Sequence, residues 1–225
     1  MMLQDLIKGQ MKPSNVKIFV ISTFTSLLLM VFAAWFIYPS ELAFHIMTHP
    51  VSYLGIPGDS QGWLLFSIAI LFLSITMVPL IRYVYPRIKA FHPRTSKVGR
   101  NALYVGCIGL IGVACLPITA LLRSYHYTAA YIGFGGNIVG MTAWGYVYAS
   151  KENPANTTKG IFRIVYILFL ISATGLLVFA PLGIILGYEL PAPGIFSFPM
   201  WEWFLFVLAI VAFDLLVFLV AVDED

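Results

Sequence analysis

The side chains best equipped for chemistry gather in a few short stretches. Glu41, His45 and His49 recur every four positions, so on a helix they would form one stripe of carboxylate and imidazole able to hold a metal ion or carry protons. Pro50 follows directly and biases His49 away from helical geometry, which cuts the stripe short. Ser52 adds a hydroxyl two residues later. A second group is Arg123 with His126, three residues apart and set among Tyr125 and Tyr127. The guanidinium can snorkel to a headgroup layer as an anchor or hold a phosphate or carboxylate, and the imidazole can give or take a proton. His126 and His49 are catalytic candidates by residue type, and Arg123, His45 and Glu41 the substrate-binding ones. Zinc on His45, His49 and His126 is a further chemistry open to this set, although no motif such as HExxH is present and histidines of an aqueous loop are the plainer reading.

Asp214 and Asn137 stand apart because both lie inside long apolar runs, where a polar group is expensive and turns to the interior of a bundle. No Lys or Arg falls in those runs at a similar depth, so Asp214 must be protonated, bond to polar side chains, or meet water or a cation. Asn137 reads as a structural hydrogen-bonding group. Glu202 sits just inside the last apolar run.

The elements that would position these groups follow from composition. Of the 225 residues, 60% are hydrophobic and 10% charged, far from the balance of a domain with a polar surface. Six apolar stretches, 18–38, 62–81, 101–122, 126–149, 164–188 and 199–222, each approach the ~20 residues needed to span hydrocarbon as a helix. They are continuously apolar and do not alternate, which favours helices over a β-barrel. The expectation is an all-α, six-transmembrane-helix bundle forming a single membrane domain over 1–225. The first stretch begins like a signal peptide, but its apolar run continues past Ala33 to Trp35 and Tyr38, which reads as a retained helix with an interfacial anchor.

Twelve of the 13 Lys and Arg residues fall on one side of such a topology, and Arg123 alone lies on the other. That asymmetry places the basic loops and both termini in the cytoplasm, with the cell membrane as the expected location. The net charge of +3 therefore reflects topology and anionic lipid, and no nucleic-acid partner is implied. Cys107 and Cys115, eight positions apart in one stretch, would be separated by ~12 Å on a helix and cannot bridge each other. Gly106, Gly109 and Gly112 in the third stretch, with Gly133, Gly135, Gly136 and Gly140 in the fourth, predict a tight central hairpin and offer a surface for oligomer formation. Pro79, Pro117 and Pro181 are places where a helix would kink.

The order of features carries a resemblance. His49-Pro50-Val51-Ser52-Tyr53-Leu54-Gly55 follows the first helix, a basic loop follows the second, and Tyr125-His126-Tyr127-Thr128-Ala129-Ala130 opens the fourth. This resembles the six-helix damage-regulated autophagy modulator (DRAM) group, which includes GPI-anchor lipid-remodelling proteins, and its prokaryotic relatives. Against that group's Pro-x-x-Ser-x-x-Gly element, Ser52 and Gly55 each come one place early, whereas His126 maps onto the histidine that starts helix four. The resemblance implies a membrane-embedded protein that binds or remodels lipid at the outer leaflet, with Ser52, His49, His126 and Arg123 around a headgroup. Two other functions fit the residues: a small proton-coupled transporter using Asp214, and a non-enzymatic membrane scaffold. Whether the protein is an enzyme is left open by the sequence.

Overall fold

A computed structural model of the chain describes residues 3–38, 49–150, 157–185 and 198–223. The described residues contain helices and no strand. In order these are α1 (Leu3–Lys8), α2 (Pro13–Phe36), a 3-10 turn (Val51–Gly55), α3 (Trp63–Ile88), α4 (Pro93–Cys115), α5 (Arg123–Ala149), α6 (Thr157–Ile185) and α7 (Phe198–Val222). Five of them, α2, α3, α4, α6 and α7, are long and apolar enough to cross a membrane. Their outward faces carry large apolar side chains, such as Ile18 at 64% and Leu29 at 65% exposure on α2 and Ile108 at 67% on α4. Such faces are disfavoured in water and suit lipid, as expected of an integral membrane protein.

The helix ends differ from the apolar stretches in instructive ways. α3 runs on to Ile88 and α4 starts at Pro93, so the basic loop expected between residues 81 and 101 shrinks to residues 89–92. Hydropathy records how much of a helix sits in hydrocarbon, whereas proline at the first helical position and satisfied backbone bonds set where the helix itself begins. α4 ends at Cys115, short of the expected Leu122, because Pro117 cannot continue it and Leu116 adopts φ −115°, ψ 82°. Arg123, which lies between the third and fourth apolar stretches, opens α5. Pro79 and Pro86 are both accommodated inside α3.

α2 packs on α3 and α7, α3 on α4, α4 on α5, and α6 on α7, while α5 meets both α6 and α7 and closes the ring. The α4–α5 hairpin is the tightest contact. A Cβ added to Gly136 would sit 2.7 Å from Ala102 O, and one added to Gly106 would sit 2.8 Å from Asn137 Nδ2, so larger side chains would force the helices apart. Gly135 is different, with open space where its Cβ would be. At the far end of the hairpin Trp144 Nε1 donates to Ser96 O at 2.9 Å. Cys107 is buried and Cys115 exposed, both as free thiols on α4.

Two ends can be distinguished. At the basic end Arg82 Nη1 donates to Ile7 O at 2.6 Å, tying α1 beneath α3. There too the Tyr148 hydroxyl donates to Asp223 at 3.4 Å, joining the last turn of α5 to the end of α7. The other end carries the 3-10 turn, the start of α7 and the α4–α5 connection.

Candidate functional site

The polar groups at the sparse end come together from three separate parts of the chain. The 3-10 turn exists because Pro50 fixes an extended entry and Tyr53 N–H then donates to Pro50 O at 3.0 Å. It is pinned to α7 by two bonds. Ser52 N–H donates to Glu202 Oε1 at 3.3 Å, with the Ser52 hydroxyl facing the same carboxylate as a further donor, and Trp203 Nε1 donates to His49 O at 3.0 Å. Glu202 is 4% exposed, so these donors offset part of the cost of burying its carboxyl group.

Tyr53 links this pair to the third segment. Its hydroxyl feels the charges of Tyr127, Arg123, Glu202 and Asp59. Burial first, and Tyr127 next, raise its pKa above the ordinary phenol value, while Arg123 acts in the opposite sense, so Tyr53 stays a neutral donor. Arg123 is exposed and its Nε donates to the Tyr127 hydroxyl at 3.2 Å. The His49 ring lies 5.9 Å from the Tyr53 ring and 6.4 Å from that of Tyr38. His49 therefore packs on Tyr53 next to Ser52, and Arg123, held by Tyr127, acts on the Tyr53 hydroxyl through its charge.

His126 is placed differently. It is 2% exposed, four residues along from its bonding partner Leu122 O, and its Nδ1 contacts Leu116 O at 2.5 Å. A carbonyl only accepts, so Nδ1 carries the hydrogen and Nε2 keeps the lone pair of a neutral ring. Nε2 has no hydrogen-bond partner among the described residues. The imidazole thus fastens the turn that Pro117 creates between α4 and α5. It adjoins the outer cluster through its neighbour Tyr127, whose ring centroid is 6.1 Å away.

This geometry bears on what Ser52 can do. The carboxylate beside its hydroxyl belongs to Glu202, whereas His126, whose imidazole could give or take a proton, turns its Nδ1 to Leu116 O. The amides of Ser52 and Tyr53, the nearest candidates to stabilise an oxyanion, are spent on Glu202 and Pro50 O. Neither amide is thus left to face a developing oxyanion. Glu41 and His45 lie outside the described residues. Among the described residues no three His, Cys, Asp or Glu side chains converge as metal ligands.

The two polar residues within the helices part company. Asn137 is buried in the α4–α5 seam, where its Nδ2 donates to Gly133 O at 2.8 Å. Asp214 lines a cavity between α2, α3 and α7 together with Thr23 and Thr76. Sequence reasoning gave Glu202 no role. Its signal was a lone acid inside an apolar helix, the same signal that singled out Asp214. Thr23 and Thr76 left no such trace, since threonine in an apolar run commonly bonds its own helix.

Comparison with protein-family models, curated proteins and solved structures finds no match to the chain.

Proposed function

We propose that the chain crosses the membrane six times, with its basic end in the cytoplasm, and binds an anionic lipid headgroup at its outer end. α5 is the sixth crossing in this reading. Its 27 residues would extend ~40 Å, and it runs beside α4, itself long and apolar enough to span. Five glycines and five tyrosines dilute its hydropathy, and packing between helices explains why it tolerates them.

The observation that carries the headgroup reading is an exposed guanidinium, Arg123, at the same end of the bundle as the buried Glu202 that Ser52 binds from a distant segment. Arg123 is the single Lys or Arg of that end, so an anion arriving there has one cation to meet. Tyr127 supplies a hydroxyl beside it, and the exposed Leu121 and Tyr125 flank Arg123 with apolar surface for acyl chains. The resemblance to lipid-remodelling proteins points the same way, with binding as the activity that the spent amides around Ser52 favour.

Native mass spectrometry of the full chain in mild detergent, offered phosphatidylglycerol and phosphatidylcholine, tests this. The wild type should retain phosphatidylglycerol preferentially, and Arg123→Ala should weaken that retention about tenfold, the loss expected for one charge-assisted contact. Equal retention by wild type and Arg123→Ala would remove the headgroup site. Stoichiometric zinc in the same sample would move the reading from binding towards hydrolysis.

A further inference from the structure

We propose that Asp214, Thr23 and Thr76 form a binding site for one small monovalent cation, sodium or a proton, at mid-depth between α2, α3 and α7. The three residues line a cavity of about 10 Å3, room for the centre of about one water-sized particle, whose other walls are apolar. Thr23 and Thr76 fall near the middle of α2 and α3, and Asp214 two-thirds of the way along α7.

The hydrogen positions decide what this cavity wants. Thr23 Oγ1 donates to Val20 O at 3.0 Å, and Thr76 Oγ1 shares its hydrogen between Phe72 O at 2.8 Å and Leu73 O at 3.1 Å. Both hydroxyl hydrogens are therefore committed to their own helices, and the oxygens turn only lone pairs to other partners. Asp214 has no hydrogen bond or ion pair among the described residues. Three acceptors around one space, with no donor among them, leave the carboxylate uncompensated until a positive charge enters. Oxygen-only ligands of this kind suit a hard cation. A proton on Asp214 answers the same need, because the carboxylic acid can then donate to a threonine oxygen.

Fixed side-chain charges do not fill this role. On α2 the only charged residue is Lys17, six positions before Thr23 and so ~9 Å along the axis, with its ammonium 6.0 Å from the Phe218 ring. On α3 the nearest cation is Arg82, six positions beyond Thr76, and it bonds Ile7 O; Arg87 lies further on. α7 itself offers Glu202 at one end and Asp223 just past the other, while α5 brings Arg123, His126 and its tyrosines, and α6 Arg163 and Tyr166 among its described side chains. Every charged group among these belongs to the outer turns of its helix or lies just past its end.

Thermal unfolding of the purified full chain in detergent tests the site, with sodium chloride exchanged for choline chloride at constant ionic strength over a series of pH values. If sodium is the ligand, the wild-type unfolding temperature rises saturably with sodium, Asp214→Asn abolishes the response, and Thr76→Val moves its midpoint about tenfold to higher sodium. If the proton is the ligand, sodium has no effect. Infrared spectra then show a protonated carboxyl band that titrates, vanishes in Asp214→Asn and shifts its midpoint in Thr76→Val. Either pattern supports the site. A wild type with no sodium response and no titrating carboxyl band overturns it, as does a response that survives unchanged in Asp214→Asn, since the cavity would then hold no more than water. The wild-type measurements decide the matter even if a variant fails to fold.

Discussion

Asn137 and Asp214 pose the same problem in two regions of the bundle, a polar side chain well inside a long helix, and the regions solve it differently. Around Asn137, glycines on α4 and α5 let the backbones meet, and the amide is closed in by Gly106 while it donates to Gly133 O. Around Asp214, side chains of α2, α3 and α7 hold the helices apart and leave a cavity whose polar lining contributes only acceptors. A closed seam can satisfy a polar group from its own helix. An open one leaves the group at the wall of a cavity, so residue type alone does not say how a polar side chain inside a helix is satisfied.

The comparison can be broken first at the closed seam. Gly136→Leu should lower stability by ~3 kcal/mol in detergent unfolding, because the new side chain meets the backbone of Gly106 and Ala102 with nowhere to move. A third polar group, Glu202, is the paired counterpart of Asp214. Replacing it in Glu202→Ala should cost ~2 kcal/mol, since the Ser52 amide loses its acceptor. Asn137→Ala sharpens the contrast further: a loss of ~1 kcal/mol, with the sodium and carboxyl responses of the Asp214 cavity unaltered. The smallest effect belongs to Gly135→Ala. Its Cβ enters open space, and unfolding should shift by no more than ~0.5 kcal/mol. A Gly135→Ala cost comparable to that of Gly136→Leu would show that the whole α5 glycine run is buried in a contact, and the seam would need redrawing.

Much of this could be read from the chain before any coordinates. The apolar stretches locate all the long helices, and Gly106, Gly109 and Gly133 foretell the hairpin because small residues have one obvious use in a helix contact. Boundaries were less legible. Hydropathy does not register that α3 continues through Pro86 or that Leu116, placed before Pro117, must leave the helix. At the sites, lone acids were visible and their surroundings were not. Pairing Glu202 with Ser52 requires folding two segments 150 residues apart onto each other, and Thr23 and Thr76 bond their own helices as Thr128 and Thr174 do, so only their place in the cavity beside Asp214 sets them apart.

The order in which these contacts become available during synthesis differs as well. The α4–α5 hairpin joins neighbours in the chain and can zip together as soon as both helices have emerged. The cavity, by contrast, is shared by α2 and α7, with four helices between them in sequence. Until α7 inserts, Thr23 and Thr76 face a partnerless gap, and Asp214 arrives as the last wall to be built. The chain thus can complete its close-packed hairpin early, whereas the polar lining of the cavity comes together only when the last helix joins the bundle.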